Sequence, residues 1–339
     1  MKLSLLSRLV SPCCAGALRF ASLAELPGDS AEIEEGSLAC VSCKRQYPIA
    51  AGVPLLAQAQ EDARVVKTRD SFAWEWKRYP GSLEEDERIF LEESQLQAAD
   101  FRGKLVLDAG CGMGRYAKVA LAFGAEVTAC DLSDALLRLA EEAPRWPKLH
   151  VVQADLLAPP FKPKQFDIVY SHGVLHHTSD TRAAFKSVAA LVKAGGLLNV
   201  WLYGKAGRFA EFSTNPLRSG RGWVAEHRRL AWLIVGLRHA LSDLLRLFTT
   251  RLPVPLTYAL CYPLTLLGIV PGLKYLTYSV HPDFKVRLIE NFDWISPPFQ
   301  YHHTKEELCR WFEEEGFEVQ KVLPHGLVPK PGVLGKKLG

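Results

Sequence analysis

From residue 104 onward, short apolar runs alternate with stretches whose apolar residues recur at helical spacing. Such runs, bounded by turn residues, are typical of strands buried in a parallel sheet, and the stretches between them are typical of crossover helices. We predict an α/β fold with a ligand at the carboxyl ends of the strands. The predicted strands are 104–108, 126–131, 149–155, 166–171 and 197–203. The predicted helices are 114–123, a second helix that begins after Ser133 as its N-cap, and 181–193, which stops at Gly195-Gly196.

The first predicted strand runs into a glycine-rich loop. Gly110, Gly112 and Gly114 stand at alternate positions, and they remove the side chains that would keep a ligand away from the backbone. A dinucleotide fingerprint needs its third glycine where this chain has Arg115, so a nicotinamide dinucleotide is disfavoured. Taken alone, the loop is equally typical of an ordinary tight turn.

Carboxylates end the first three predicted strands. Asp108 precedes the glycines, Asp131 ends the second strand and Asp155 ends the third. Any one of them could merely cap the next helix. Three on successive strands beside the glycine loop indicate a site for a nucleoside cofactor.

These residues resemble the motifs of class I S-adenosylmethionine-dependent methyltransferases. The resemblance covers 104–203 and 290–323 and implies a Rossmann-like sheet with S-adenosylmethionine as cofactor. In that family, the residue that matches Asp131 accepts hydrogen bonds from the ribose hydroxyls. The residue that matches Asp155 accepts from the adenine amino group, and the residue that matches Asp108 meets the cofactor's ammonium. The cofactor-binding set implied by the resemblance is Asp108, Gly110, Cys111, Gly112, Gly114, Asp131, Leu132, Asp155, Leu156 and Ser171.

The segment 171–180 resembles the family segment at the mouth of the site. Methyl transfer from a sulfonium needs a base only where the acceptor is a hydroxyl or an activated carbon. His172 and His176 are the candidate bases, followed by Tyr203 and His302, and each is alternatively a packing residue. The adjacent histidines of this segment do not indicate a metal site, because no further ligand lies at helical spacing.

Two cysteine pairs near the start of the chain predict a small module. Cys13-Cys14 and Cys40-x-x-Cys43 offer four thiolates, and tetrahedral zinc would stabilise a ribbon that has little core of its own. Residues 38–56 resemble the second half of the zinc ribbon of methyltransferase activator proteins, which is also fused ahead of some methyltransferase domains. Ser11 replaces the first cysteine of that family. Either Cys13 and Cys14 both bind structural zinc, or the ribbon is metal-free and held by packing.

Composition narrows the function classes. A net charge of +4 among 339 residues is too small to indicate nucleic-acid binding, so no nucleic-acid partner is expected. The apolar start is interrupted by Arg8 and lacks a small-residue cleavage site, so we expect it to belong to the folded protein. The scatter of the eight cysteines favours free thiols and a cytoplasmic location.

Aromatic residues are concentrated in the charged, helical stretch 60–101. We expect them either to cover the cofactor and line the substrate pocket, or to pack ordinarily against the core. They are Phe72, Trp74, Trp76 and Tyr79.

The stretch 204–289 interrupts the predicted core. Between Arg218 and Arg251 seven arginines stand against two acidic residues, which indicates a basic amphipathic helix, and 252–273 carries four prolines and no charge. We expect one of two structures. One is a helical lid whose apolar face covers the active site, and the other is a membrane-associated surface, 218–273, that reaches a lipid-linked substrate on anionic membrane.

After this insert the pattern returns to the core. Thr304 and Glu307 predict a capping box, Gly316 ends that helix, 317–322 is a strand, and the last antiparallel strand is expected at 325–329. The predicted domains are a zinc-ribbon-like module at 1–58, a helical linker or cap at 59–103, a cofactor-binding core at 104–203 and 290–339, and the insert at 204–289.

The predicted function is S-adenosylmethionine-dependent methyl transfer to an O- or N-nucleophile on a small metabolite, glycan or lipid-linked intermediate. Two alternatives stay open. One is a non-catalytic scaffold that binds the cofactor and activates a partner enzyme. The other keeps the cofactor but replaces methyl transfer by transfer of a different group, such as aminopropyl.

Overall fold

The structure is a computed structural model that describes residues 1–21, 32–57, 62–79, 85–205, 228–270, 273, 277–279, 281, 283–323 and 331–339. Its helices are α1 Leu3–Leu6, α2 Ala63–Trp76, α3 Asp86–Ser94, α4 Ala98–Phe101, α5 Arg115–Ala122, α6 Leu137–Glu142, α7 Thr181–Ala189, α8 Arg228–Thr249, α9 Val254–Leu267, α10 Phe284–Ile295 and α11 Lys305–Glu314. Its strands are β1 Leu18–Phe20, β2 Gly36–Cys40, β3 Gln46–Ala50, β4 Val53–Pro54, β5 Leu105–Ala109, β6 Glu126–Asp131, β7 Leu149–Gln153, β8 Phe166–His172, β9 Val192–Trp201, β10 Phe317–Val322 and β11 Gly332–Lys337.

Within the described ranges, seven strands form one sheet in the order β10-β11-β9-β8-β5-β6-β7. The strands β5 to β9 run parallel, and β10 and β11 add an antiparallel edge. The chain leaves β5 to one side for β6 and β7 and then returns to its other side for β8. Ligands of open α/β sheets bind at such a reversal of strand order, so the predicted fold class is confirmed and the glycine loop lies at the expected place.

A second sheet of four antiparallel strands, in the order β1-β2-β3-β4, forms the ribbon. It packs on the large sheet, since Leu55 pairs with Gln153 at the end of β7. An ion pair between Arg8 and Glu126 fastens the start of the chain to β6. Ribbon residues such as Leu38 share one hydrophobic cluster with the large sheet. The zinc-ribbon-like module is therefore a packed part of the structure.

Two local predictions are wrong, and a third lies outside the described residues. Helix α7 ends at Ala189 because Val192 already pairs with Phe166, and Gly195, at φ +75°, lies in a bulge of β9 rather than at a helix end. The Ser133 hydroxyl does not cap the following turn, since it donates to the Asp131 carboxylate over 2.7 Å. The last strand is β11, whereas the expected 325–329 lies outside the described residues.

The other predicted elements of the core are confirmed within a few residues. The capping box is present, because Thr304 accepts from the Glu307 backbone while the Glu307 side chain accepts from Thr304. Helix α2 crosses the carboxyl edge of the sheet and contacts α9 and α10 of the insert. The insert therefore packs beside the predicted cofactor site.

Candidate functional site

The glycine loop between β5 and α5 is tightly enclosed. A Cβ atom on Gly110 would lie 2.4 Å from a Val174 methyl group, and one on Gly114 would lie 2.5 Å from Leu139. Both glycines have positive φ, +90° and +82°. A side chain is therefore excluded at both positions by neighbouring atoms as well as by backbone conformation.

Asp131 connects the end of β6 to this loop. Its Oδ2 accepts from the Gly112 N–H over 2.8 Å, and its Oδ1 accepts from the Ser133 N–H over 2.8 Å. Burial raises the pKa of Asp131, while these donors act in the opposite direction. The carboxylate thus fixes the loop and stands at its edge.

A cavity of about 130 Å³ opens beside the loop. Five of the ten predicted cofactor residues line it, together with the candidate base His172. The cavity-lining members of the predicted set are Gly110, Asp131, Leu132, Asp155 and Leu156. The volume is below the roughly 300–1,000 Å³ of pockets that enclose a drug-sized ligand, so a nucleoside cofactor requires this cavity to widen.

Helix α2 covers the loop. The Trp76 ring lies 3.0 Å from the position a Cβ of Gly112 would take, and Phe72 lines the cavity one turn earlier. These two aromatic residues therefore stand at the cofactor cavity. In contrast, Trp74 packs against Tyr258 of α9, with ring centroids 6.0 Å apart.

Asp108 lies beneath the loop and is buried. Burial raises its pKa to about 8, and the nearby Asp131 carboxylate acts in the same direction. Among the described residues its Oδ2 has no hydrogen-bond partner. A buried carboxyl oxygen without a donor fits a site that receives a cationic or donating group from a ligand.

Two other members of the predicted set are structural in this arrangement. The Ser171 hydroxyl is buried and donates to the Ala109 carbonyl over 2.8 Å, which joins β8 to β5. The Cys111 thiol is also buried, and burial raises its pKa. Neither side chain lines the cavity, so their contribution to cofactor binding stays a prediction.

His172 combines a cavity position with a fixed ring. Its Nε2 lies within hydrogen-bond distance of the Asn199 side-chain oxygen, and because that oxygen only accepts, Nε2–H is the donor. Nδ1 lies 4.0 Å from the buried Glu93 carboxylate, which also accepts from the Trp201 indole over 3.1 Å. The ring is therefore oriented by the end of β9 and by α3.

The candidates His176 and Tyr203 lie together one layer farther from the loop. Their rings stack with centroids 4.1 Å apart, and His176 Nδ1 accepts from the Tyr203 N–H over 3.3 Å. The Tyr203 hydroxyl donates to Asp293 of α10. His302 lies beside them, with its centroid 6.2 Å from that of Tyr203, and burial lowers its pKa to about 4.

Sequence reasoning missed three groups at this place, of which His177 and Glu75 are buried and Asp293 is half-buried. His177 lines the cavity and donates from Nδ1 to the Phe299 carbonyl over 2.8 Å, and its Nε2 lies 3.6 Å from Asp293. Burial raises the pKa of Asp293 to about 7 and that of Glu75 well above its usual range. Asp293 and Glu75 come from helices far apart in sequence, so no motif could have marked them.

The ribbon brings its four cysteine thiols together. Cys13 and Cys43 sulfurs are 3.0 Å apart, and those of Cys14 and Cys40 are 3.5 Å apart. The sulfurs of Cys13, Cys14 and Cys43 lie within 4.8 Å of one another. Sulfurs around tetrahedral zinc are about 3.8 Å apart, so the four thiols are compatible with a zinc ion.

Ser11 occupies the place of the missing cysteine without replacing its thiol. Its hydroxyl is 2.8 Å from the Tyr47 hydroxyl and 4.0 Å from the Cys43 sulfur. Cys13, two residues later, approaches Cys43 instead. Hydrogen bonds from Cys43 and Ser11 lower the pKa of Cys13 to about 6, which favours the thiolate that zinc binds.

Comparison with known families agrees with both resemblances. Residues 107–200 match the family described as a methyltransferase domain. Residues 2–52 match the family described as Trm112p-like protein. The two resemblances inferred from the glycine loop and from the cysteines are therefore confirmed, each for its own part of the chain.

Curated relatives match part of the chain. A malonyl-[acyl-carrier protein] O-methyltransferase of Pseudescherichia vulneris is 40% identical over 91 residues, which cover 27% of this chain and 36% of that protein. A ubiquinone biosynthesis O-methyltransferase of Nitrosomonas europaea is 32% identical over 124 residues, covering 33% and 46%. The matches thus span less than half the length of these relatives.

One solved structure illustrates the similarity over a longer stretch. The chain is similar to the 1,6-didemethyltoxoflavin-N1-methyltransferase of Burkholderia thailandensis, at 14% identity and a TM-score of 0.45. The alignment covers 91% of this chain and 100% of that one.

Proposed function

We propose that this chain transfers a methyl group from S-adenosylmethionine to an O- or N-nucleophile of a small metabolite, a glycan or a lipid-linked intermediate. The observation that carries the proposal is the cavity at the carboxyl edge of the sheet, where Gly110, Asp131 and Asp155 meet. The matched family and the names of the relatives agree with this activity.

The residues present fit the cofactor. Asp131 and Asp155 stand at the cavity as acceptors for hydroxyl and amino groups, and Asp108 holds a buried oxygen without a donor among the described residues. When bound, the cofactor supplies an electrophilic methyl carbon. The protein then has to align the nucleophile and exclude water, which the aromatic cover of α2, Phe72 and Trp76, would do.

A base is required if the acceptor is a hydroxyl. His172 is our first proposal, because it lines the cavity and the Asn199 side chain holds its ring in place. His176, Tyr203 and His302 form the next layer and stay the other candidate bases. His177 joins them, since it lines the cavity and approaches Asp293.

Cofactor titration and a labelling assay test this function together. Isothermal titration should show binding of both S-adenosylmethionine and S-adenosylhomocysteine, and labelled cofactor should deliver methyl to a component of an extract from the source organism. His172→Ala should leave cofactor affinity within a few fold while lowering turnover. Absence of cofactor binding would refute the proposal, and binding without transfer would favour the scaffold alternative.

A further inference from the structure

Helix α8 has its polar side chains turned inward. Arg238, Ser242 and Thr249 are almost fully buried, and the Ser242 hydroxyl donates to the Trp294 carbonyl of α10 over 2.7 Å. Apart from Asp243, the large outward side chains are apolar, with exposed fractions of 55% for Leu237 and 65% for Phe248. The exposed large apolar residues of this helix are Leu233, Leu237, Leu244, Leu247 and Phe248.

Helix α9 repeats this inversion. Thr257, Cys261 and Thr265 follow one another at intervals of four residues and are completely buried. The Thr257 hydroxyl donates to the Thr249 carbonyl, so the end of α8 and the start of α9 are in contact. The outward residues of α9 and of the turn after it are Leu256, Leu260, Tyr262, Leu266, Leu267, Ile269 and Val270.

A helix on a water-facing surface normally buries its apolar stripe and exposes its polar one. Both helices do the opposite, which places an apolar medium on their outer side. The arginines expected on the surface of the amphipathic helix illustrate this, since Arg238 is buried and Arg246 donates to the carbonyls of Pro297 and Pro298. The lid alternative, with the apolar face toward the active site, does not describe these two helices.

We infer that the outer faces of α8 and α9 rest on a phospholipid bilayer and that the acceptor is held in or on that bilayer. Charge supports a lipid rather than a protein partner: the sequence from 218 to 229 holds four arginines against one acidic residue, and 252–273 has no charge. Arg251, at the turn between the helices, is exposed. Among the described residues no helix is long and apolar enough to cross a membrane.

The same helices contact the catalytic side of the protein. The Lys67 ammonium of α2 donates to the Leu252 carbonyl at the α8–α9 turn, and Tyr258 packs on Trp74 of α2. Helices α8 and α9 both contact α10. Helix α10 carries Trp294, whose ring stacks on that of Tyr203 with centroids 5.0 Å apart. The lipid-facing surface therefore adjoins the candidate acceptor site. The acceptor half of this inference rests on the proposed function, whereas the bilayer half does not.

Flotation with lipid vesicles tests the surface directly. The purified full chain should float with vesicles of phosphatidylcholine, and more completely when phosphatidylglycerol is included. The double variant Leu237→Glu/Phe248→Glu should reduce binding at least tenfold, because two charges would enter the apolar interface. Leu338→Glu is the matched control, since Leu338 is 56% exposed at the far end of the chain and should bind as wild type does.

Thermal unfolding and light scattering accompany the flotation. The double variant should keep the wild-type melting temperature and cofactor affinity, because both side chains face outward. Failure of the wild type to bind either vesicle would overturn the inference, whether the face is then covered by another segment, a second copy or a protein. Cofactor affinity measured on the same samples reports on the proposed function separately. If vesicles bind but do not raise methyl incorporation into the lipid fraction of the extract, the acceptor half of the inference is wrong.

Discussion

The backbone N–H of Gly112 donates to the Asp131 carboxylate over 2.8 Å, so the end of β6 holds the glycine loop that leaves β5. The other carboxylate oxygen accepts from the backbone and hydroxyl of Ser133. One side chain therefore fixes two turns on the rim of the cavity. In the proposed function it also has to bind a hydroxyl-bearing ligand.

Replacing Asp131 should weaken cofactor binding. Asp131→Ala removes charge-assisted hydrogen bonds and releases the loop, and we expect a loss of affinity of about 10- to 100-fold by isothermal titration. Asp134→Ala is the control, because Asp134 is an exposed neighbour paired with Lys77 and does not line the cavity. Equal affinity of the two variants would contradict a role for Asp131 in the site.

Cofactor binding should release a proton from Asp108. Its pKa is raised to about 8, so the carboxyl is mostly protonated at neutral pH, and an approaching ammonium would lower that pKa. Affinity should therefore rise between about pH 6 and pH 7.5, with up to about one proton released per site. Titration in buffers of different ionisation enthalpy measures the release. Asp108→Asn should abolish it, and a wild type that releases no proton would show that the ligand does not reach Asp108.

Alanine substitutions at Gly114 and Gly195 separate the cost of backbone strain from the cost of a packing clash. Both have positive φ, +82° and +75°, but a Cβ on Gly114 would meet Leu139 at 2.5 Å, whereas nothing lies within 4 Å of one on Gly195. Gly195→Ala should lower the free energy of unfolding by about 1 kcal/mol, and Gly114→Ala by about 2–4 kcal/mol. Denaturant titration of both variants measures the difference. Equal losses would mean that Leu139 moves aside without cost.

The sequence predicts the parallel sheet and the loop well because both depend on local patterns. Buried strands appear as apolar runs, and a close approach of backbone to side chain appears as glycine. The insert shows the limit of such reasoning. Its alternating arginines and leucines indicate an amphipathic helix. Which stripe of that helix faces the protein depends on α10 and the residues just after it, because the carbonyls of Trp294 and Pro297 accept from Ser242 and Arg246. The pairing of Asp293 with His177 likewise depends on distant segments meeting.

The zinc content of the protein should depend on Cys13 and not on Ser11. If four thiolates hold the ion, the purified protein should contain about one zinc per chain, and Cys13→Ala or Cys40→Ala should lose it together with ribbon stability. Ser11→Ala should retain the metal, because the Ser11 hydroxyl is directed to Tyr47. Cys309→Ala, a half-buried cysteine of α11, serves as the control. Elemental analysis decides the matter, and a zinc-free wild type would mean that packing alone holds the ribbon.

Asp293 should make stability depend on pH around neutrality. Burial raises its pKa in the folded state to about 7, whereas an ordinary Asp has a pKa of about 3.9, so its stabilising contribution is complete below the unfolded pKa and is lost as pH rises toward 7. Asp293→Asn keeps an oxygen for the Tyr203 hydroxyl. Its free energy of unfolding should therefore exceed that of wild type by about 1–3 kcal/mol at pH 8 and by a smaller amount at pH 5. Denaturant titration at both pH values measures this.

If the same carboxylate takes up the acceptor proton, turnover of the wild type should rise through pH 7, and the variant should be slow at every pH. An unchanged rate in the variant would leave proton removal to His172, and an unchanged stability profile would show that the carboxylate is not buried as described.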